Sequence, residues 1–196
     1  MTKNIRRIKI FSNLTGNDGM CPVCAGAGYI EYGDDYHQST RIECRECEGT
    51  GFNKILKKYK IKDTSIFDVW KMTLDEAVEF FKDIDKSISA TCASASEIML
   101  GHLHIGQATG TLSGGENIRI KIMKASKSTA KIIGVDEPFK GLSNIEIDAV
   151  ARYLDRIRKK ERTLIVIDHT TGVEDYFSQW IQVDNKKEIL TGKILK

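Results

Sequence analysis

Apolar residues recur every three or four positions in three stretches of the chain, and each stretch begins with a helix-start signal. Thr73 and Glu76 form a T-x-x-E box ahead of "LDEAVEFFKDIDKSI", where Leu74, Ala77, Val78, Phe81, Ile84 and Ile88 share one helical face. Ser113 and Glu116 open a second helix that runs to about residue 127, with Arg119, Lys121 and Lys124 on its polar side. Ser143 and Glu146 open a third, through about Lys160, with an apolar stripe of Ile147, Val150, Ala151, Leu154 and Ile157. Short apolar runs beside these helices read as buried strands: "KIIGVD" (131–136), "TLIVID" (163–168) and "WIQVD" (180–184). Continuous apolar strands alternating with helices predict a parallel sheet of βαβ units, an α/β fold. The closing "EILTGKIL" predicts a short terminal hairpin.

Composition adds limits rather than new elements. No apolar run approaches the roughly 18–20 residues that a bilayer span needs, so no membrane partner is expected. The N-terminal "MTKNIRRIKIF" is basic but lacks an apolar core and a cleavage site, which points to a cytoplasmic chain. The net charge of +3 is too weak to imply nucleic acid by itself. The run "KILKKYKIK", from Lys54 to Lys62, is locally basic and reads as a solvated face, an edge strand or a DNA contact.

The cysteines change the picture more. Cys21 and Cys24 are followed by Gly26 and Gly28, and Cys44 and Cys47 by Gly49 and Gly51. C-x-x-C-x-G-x-G therefore occurs twice, at a separation that suits one tetrahedral four-thiolate zinc site. Four thiolates leave no open coordination position, so the zinc would be structural. Glycines at these places let backbone N–H groups turn toward the sulfurs. Buried or redox-active cysteines are the alternative. Cys92 is left over and reads as a small buried residue. His37 lies between the pairs and is not needed by a complete thiolate set.

A second chemistry is written in "TLSGGE", residues 111–116. Ser113 caps a helix whose first turn contains Gly114 and Gly115, and a ligand can approach such a helix start closely. Alone, this is equally a plain helix cap. Further on, Asp136 and Glu137 directly follow an apolar strand, as a Walker-B magnesium ligand and a water-activating carboxylate would. His169 ends another apolar strand, placed to sense a γ-phosphate. Each has a bland reading as an acidic strand end or a loop histidine; their order and context favour a phosphate site.

In these motifs and their order the chain resembles the UvrA family, the ATP-binding-cassette ATPases that recognise DNA damage in bacterial nucleotide excision repair. The resemblance is carried by the two cysteine motifs, "DVWKMTLDEAVEFF" (68–81), "LGHLHIGQATGTLSGGENIRIKI" (100–122), "VDEPFKGL" (135–142) and "IVIDHTTGVEDYFSQWIQVD" (165–184). It implies that Ser113, Gly114, Gly115 and Glu116 contact ATP held by an opposing cassette. It also implies that Asp136 holds Mg2+, that Glu137 is the catalytic base, that His169 is the switch histidine, and that Cys21, Cys24, Cys44 and Cys47 bind Zn2+. The chain departs from the family's usual "GGEAQR" with "GGENIR", from "PTTGLH" with "PFKGLS", and carries Asp168 where a glutamate usually precedes the histidine.

No G-x-x-x-x-G-K-[ST] phosphate loop occurs in the sequence. In the family that loop lies upstream of the zinc module. The expected organisation is a zinc-binding module (1–62), a helical signature region (63–130) and a partial ABC ATPase lobe of parallel sheet and helices (131–196). ATP and Mg2+ would then bind only in a composite site, completed by a chain bearing the Walker A loop or by a second copy as a dimer, and the chain alone would be inactive. DNA is the further expected partner. Two readings compete with this one. A non-catalytic zinc-binding adaptor would explain the missing loop. A DnaJ-type zinc region would explain C-x-x-C-x-G-x-G, but such chaperones use two further copies of the motif.

Overall fold

The computed structural model describes residues 19–32, 40–159, 161–183 and 189–193. The chain divides into two compact units, Met1–Met72 with His104–Gly106, and Thr73–Leu103 with Gln107–Lys196. His37 lies outside the described residues.

The first unit is built from short antiparallel pieces. Strands β1 (Tyr29–Tyr32) and β2 (Thr40–Glu43) pair from Tyr29↔Glu43 to Tyr32↔Thr40. Strands β3 (Lys60–Ile61) and β4 (Thr64–Ser65) form a tight hairpin. Its two turn residues, Lys62 and Asp63, both have positive φ, the twist that a two-residue hairpin requires. Ser65 then caps helix α1 (Ile66–Lys71) in a reciprocal box with Asp68. Phe67, buried on α1, and Trp70 meet Phe52 edge to face at 6.1 and 5.0 Å. Gly106 closes the unit against Trp70, where a Cβ would lie 2.2 Å from the indole. The basic run 54–62 is a 3-10 turn (Lys54–Lys58) leading into β3.

The second unit holds the three expected capping boxes and departs from the expected helices at one point. Helix α2 (Leu74–Phe81) stops where the periodic pattern runs on to Ile88. Asp85 interrupts it by capping a new helix, α3 (Lys86–Ser96), its carboxylate accepting from the N–H groups of Ser87 and Ile88. A strong N-cap outweighs the continuity of the apolar stripe. Cys92 is buried on α3. Helix α4 (Gly114–Ser126) and helix α5 (Asn144–Arg158) follow. The core gathers Ile98, Leu100, Ile122, Phe139, Val150 and Leu154, each almost fully buried. Burying a side chain such as Phe139 or Leu154 contributes about 1.5–3 kcal/mol.

Strand β5 (Ile132–Asp136) and strand β6 (Thr163–Ile167) pair in parallel from Ile132↔Thr163 to Asp136↔Ile167, with α5 as the crossover. This is the expected βαβ unit, but its strands are not buried on both faces. Ile133, Val135, Leu164 and Val166 join the core, whereas Ile132, Ile165 and Ile167 are more than half exposed. The run "WIQVD" is also corrected: strand β7 (Gln179–Val183) pairs antiparallel with strand β8 (Ile189–Lys193), not in parallel with β6. Strand β8 is thus the partner of β7 rather than part of a separate terminal hairpin. Residues 168–178 contain only a 3-10 turn, too little for a crossover, whereas β8 begins soon after β7 ends. Among the described residues no helix is long and apolar enough to cross a membrane.

Among the described residues β5 and β6 pair only with each other, so each presents an open edge beside an apolar face. Such surfaces favour pairing with another chain. Sedimentation at micromolar concentration is expected to show dimers or larger species, and Ile165→Lys with Ile167→Lys to shift the population toward monomer. A strictly monomeric chain whose β5 and β6 amides resist hydrogen exchange would contradict this.

Candidate metal centre and nucleotide half-site

The two cysteine motifs fold into matching copies that contact each other reciprocally. Ala25 and Glu48, Gly26 and Gly49, and Gly28 and Gly51 all take positive φ at equivalent positions. Cys21 N–H donates to the Gly51 carbonyl at 2.8 Å, and Cys44 N–H to the Gly28 carbonyl at 2.9 Å. The copies approach so closely that a Cβ on Gly28 would lie 2.4 Å from the Gly49 carbonyl oxygen, and one on Gly51 the same distance from that of Gly26. Gly28 N–H points at Cys24 Sγ (3.3 Å) and Gly51 N–H at Cys47 Sγ (3.2 Å).

These contacts bring the four sulfurs within 4.8 Å of one another in a buried cluster. Cys21 to Cys44 is 3.8 Å and Cys24 to Cys47 is 3.7 Å. A disulfide needs about 2.05 Å, whereas a tetrahedron of thiolates about 2.3 Å from a metal has edges of about 3.8 Å. Burial pushes the Cys47 thiol up to about 12, while the backbone N–H of Cys47 pulls Cys44 down to about 7. Four such thiols cannot all ionise beside one another without a cation among them. The donor set therefore fits a metal ion, held by Cys21, Cys24, Cys44 and Cys47.

The basic run beside this cluster is partly neutralised. Lys54 pairs with Glu46 at 3.1 Å, and Glu48 takes both Lys57 and Lys71. Lys57, then Lys71, hold the Glu48 carboxyl down to about 2. These pairs leave less of the run's charge available to a polyanion than the sequence suggests.

In the second unit, Ser113 and Glu116 satisfy each other across the first turn of α4. Ser113 N–H donates to Glu116 Oε2 (2.7 Å) and Glu116 N–H to Ser113 Oγ (3.2 Å). Glu116 Oε1 meets His102 Nε2 at 2.9 Å. The Ser113 N–H, then His102, hold the Glu116 carboxyl below the usual range. Gly114 has open space where a side chain would stand, while a Cβ on Gly115 would touch Leu142 at 3.0 Å. This helix start can receive an anion closely, and its packing ties it to the loop that follows Glu137.

The ends of β5 and β6 bring the acidic residues together. Asp136 is exposed at the last position of β5. Glu137 follows with positive φ, its N–H donating to the Ile167 carbonyl at 2.7 Å. A non-glycine residue in that conformation is uncommon and strained. Glu137 Oε1 meets His169 Nε2 at 2.6 Å, and Oε2 accepts from Lys140 Nζ at 2.5 Å. Lys140, then His169, hold the Glu137 carboxyl below its usual range. Asp168 accepts from Phe139 N–H (2.9 Å) and Thr170 N–H (2.8 Å), which braces the loop beneath Glu137. Asp136 and Glu137 offer the hard oxygen donors that magnesium takes.

Three residues of this arrangement escape a reading of the sequence. Lys140 and His102 lie in loops with no periodic signal. Arg119, expected on the polar side of its helix, is buried instead, with Nη1 donating to Glu146 Oε1 at 2.7 Å. It stands one turn before the buried Ile122, a spacing that could have placed it. Its Nε has no hydrogen-bond partner among the described residues. Glu146 also accepts from Ser143 N–H (2.9 Å) and Ser143 Oγ (2.8 Å), so one carboxylate joins α4 to the cap of α5.

A parallel β–α–β unit with an Asp-Glu at the end of one strand, an Asp-His at the end of the next, and a Ser-Gly-Gly-Glu helix start has the fold of part of an ATP-binding-cassette lobe. No protein-family model matches the chain. UvrABC system protein A of Clostridium perfringens is 33% identical over 154 residues, 77% of this chain and 16% of that protein. The Staphylococcus aureus protein of the same name is 32% identical over 158 residues, 79% of this chain and 17% of its own length. The crystal structure of UvrA2 from Deinococcus radiodurans superposes with a TM-score of 0.75 at 27% identity, covering 86% of this chain and 21% of that one. Over the part it spans, this chain belongs to the UvrA family. That part is 16–17% of the length of these curated relatives.

The Ser143 N–H and hydroxyl, then Arg119, hold the Glu146 carboxyl down to about 2. The folded value lies below the unfolded one of about 4.3, so the stabilisation is complete above that pH and is lost as pH falls through the folded value. Glu146→Gln, which leaves Arg119 buried without a counter-charge, is expected to cost about 3 kcal/mol at pH 7. Arg119→Met, which leaves no buried charge, should cost less. Denaturant unfolding at pH 7, 4 and 3 checks both, and the gap between wild type and Glu146→Gln should narrow as the solution is acidified.

Proposed function

We propose that this chain supplies the signature helix and the acidic strand ends of a composite ATP site in an ATPase that recognises DNA damage. The observation that carries the reading is the 2.6 Å contact between Glu137 and His169 at the ends of adjacent parallel strands, in a chain of the UvrA family. In this reading Ser113, Gly114 and Gly115 meet the phosphates of ATP held by an opposing cassette, with Glu116 bracing the turn. Asp136 would hold Mg2+, which would supply positive charge to offset that of the phosphates. Glu137 takes the proton of the attacking water, and His169 orients Glu137 and reads the γ-phosphate. The opposing cassette, or a second copy of this chain with a further partner, supplies the Walker A loop. DNA binding belongs to the same proposal, resting on the family alone.

The metal in the four-thiolate site is zinc on this reading, since a closed set of four cysteines without redox chemistry suits it. It cross-links the two C-x-x-C copies and completes the folding of the first unit. A non-catalytic zinc-binding adaptor is the second reading. It is favoured by the engagement of both Glu137 oxygens with the chain's own donors.

Metal analysis of the purified chain should give about one zinc per molecule, with Cys44→Ser losing it; an iron–sulfur chromophore or a Cys21–Cys24 disulfide would refute the assignment. Calorimetry should detect no micromolar ATP binding by the chain alone. With a complementing Walker A chain present, Glu137→Gln should abolish turnover and keep ATP binding, which separates a base from a ligand. Unchanged turnover in that variant would favour the adaptor.

A further inference from the structure

Lys140 pairs with one of the carboxylates at the strand ends. Asp136, Glu137 and Asp168 lie at or just beyond the C-terminal ends of β5 and β6, and the Lys140 ammonium sits in the field of all three. Asp168 is already satisfied by the N–H groups of Phe139 and Thr170. Glu137 is satisfied differently: His169 meets one oxygen and Lys140 the other, at 2.6 and 2.5 Å. A carboxylate that is to take a proton from water needs an oxygen free to face that water. Here each oxygen already holds one partner, and the ammonium's charge disfavours the carboxylate's taking a proton. Lys140 is also a departure: it stands where the family's usual "PTTGLH" has an uncharged threonine.

The lysine side chain is two-thirds exposed. An exposed ion pair of this kind is held weakly and its long side chain can swing into water. A divalent cation on Asp136 would bring a second positive charge beside the ammonium, and the two repel. The carboxylates that attract the lysine are the same ones a divalent cation would use.

We propose that Lys140 is a displaceable clamp on Glu137: it occupies the carboxylate until a divalent cation on Asp136 drives the ammonium away. This rests on the nucleotide-site reading of Asp136 and Glu137. The clamp couples the availability of the base to metal loading, so that Glu137 faces water only when the charges of the phosphates can be offset. Lys140 acts through Glu137 and is a positioning residue.

Nitrogen-15 NMR of the lysine ammonium groups in the full chain tests the clamp directly, with Lys140→Arg assigning the signal. The Lys140 ammonium protons should exchange with water several-fold more slowly in the wild-type chain than in Glu137→Gln, and Mg2+ alone should raise the wild-type rate to that of the variant. Equal exchange in the two forms overturns the clamp, and slow exchange that Mg2+ leaves unchanged overturns its displacement. Mn2+ binding followed by electron paramagnetic resonance gives a second arm. Lys140→Thr should bind Mn2+ about tenfold more tightly than wild type, while Lys140→Arg, which keeps the charge, should not. Equal Mn2+ affinity in wild type and Lys140→Thr overturns the competition. If Asp136→Asn binds Mn2+ as well as wild type does, the assignment of Asp136 fails instead, and the exchange rates still decide the clamp.

Discussion

A guanidinium buried in the core must meet a carboxylate, and in the second unit that requirement fixes where two helices stand. Arg119 enters the interior from α4, and Glu146 meets it from the first turn of α5. Glu146 is simultaneously the capping residue of its own helix through Ser143. One carboxylate therefore sets the helix start, the spacing of α4 from α5, and the approach of Gly115 to Leu142. The Ser-Gly-Gly-Glu turn and the loop after Glu137 are consequently held by a single network. A pair of this kind is poor value as stabilisation, since apolar packing could replace it at little cost. Its use here is positional: it makes the geometry at the two helix starts depend on one another.

The first unit is governed by a different electrostatic constraint. Four thiols share a space from which water is excluded, and their ionisation calls for a cation. The glycines serve that end by backbone approach. Two copies of the motif interlock at distances that leave no room for a side chain, and each aims an N–H group at a sulfur of its own pair. Polar N–H groups turned toward thiolates disperse negative charge that one divalent ion leaves over. The surrounding Glu46 and Glu48 draw lysines to the outside of the module, so the basic run is in part a response to nearby acid.

The acidic strand ends show the same economy in a more labile form. Strand β5 delivers Asp136 and Glu137, strand β6 delivers Asp168 and His169, and parallel pairing in register places them side by side. Backbone donors settle Asp168, whereas Glu137 depends on two side chains that can move. On the proposed reading, the group that acts on water is thus also the one held by side chains rather than by the backbone.

Much of this was legible in the sequence, for local reasons. The three capping boxes, the βαβ unit and the doubled C-x-x-C-x-G-x-G follow from spacing within a few residues, and the helix periods follow from the apolar faces that must be covered. The break at Asp85 was a contest between two local signals, an N-cap and a continuous stripe, which only the packed structure resolved. The pairing of β7 was beyond local reading, because an apolar run does not state its partner; connection length and the neighbouring β8 decided it. Arg119 and Lys140 were hidden for a related reason. A charged residue in a helix or loop reads as solvated until a carboxylate from elsewhere in the fold is brought to it, and that meeting depends on contacts across 27 residues in one case and on the strained turn at Glu137 in the other. Sequence alone determined which chemistries the chain carries; tertiary structure decided which charges face one another, because electrostatic partners are chosen by proximity in space and not by order along the chain.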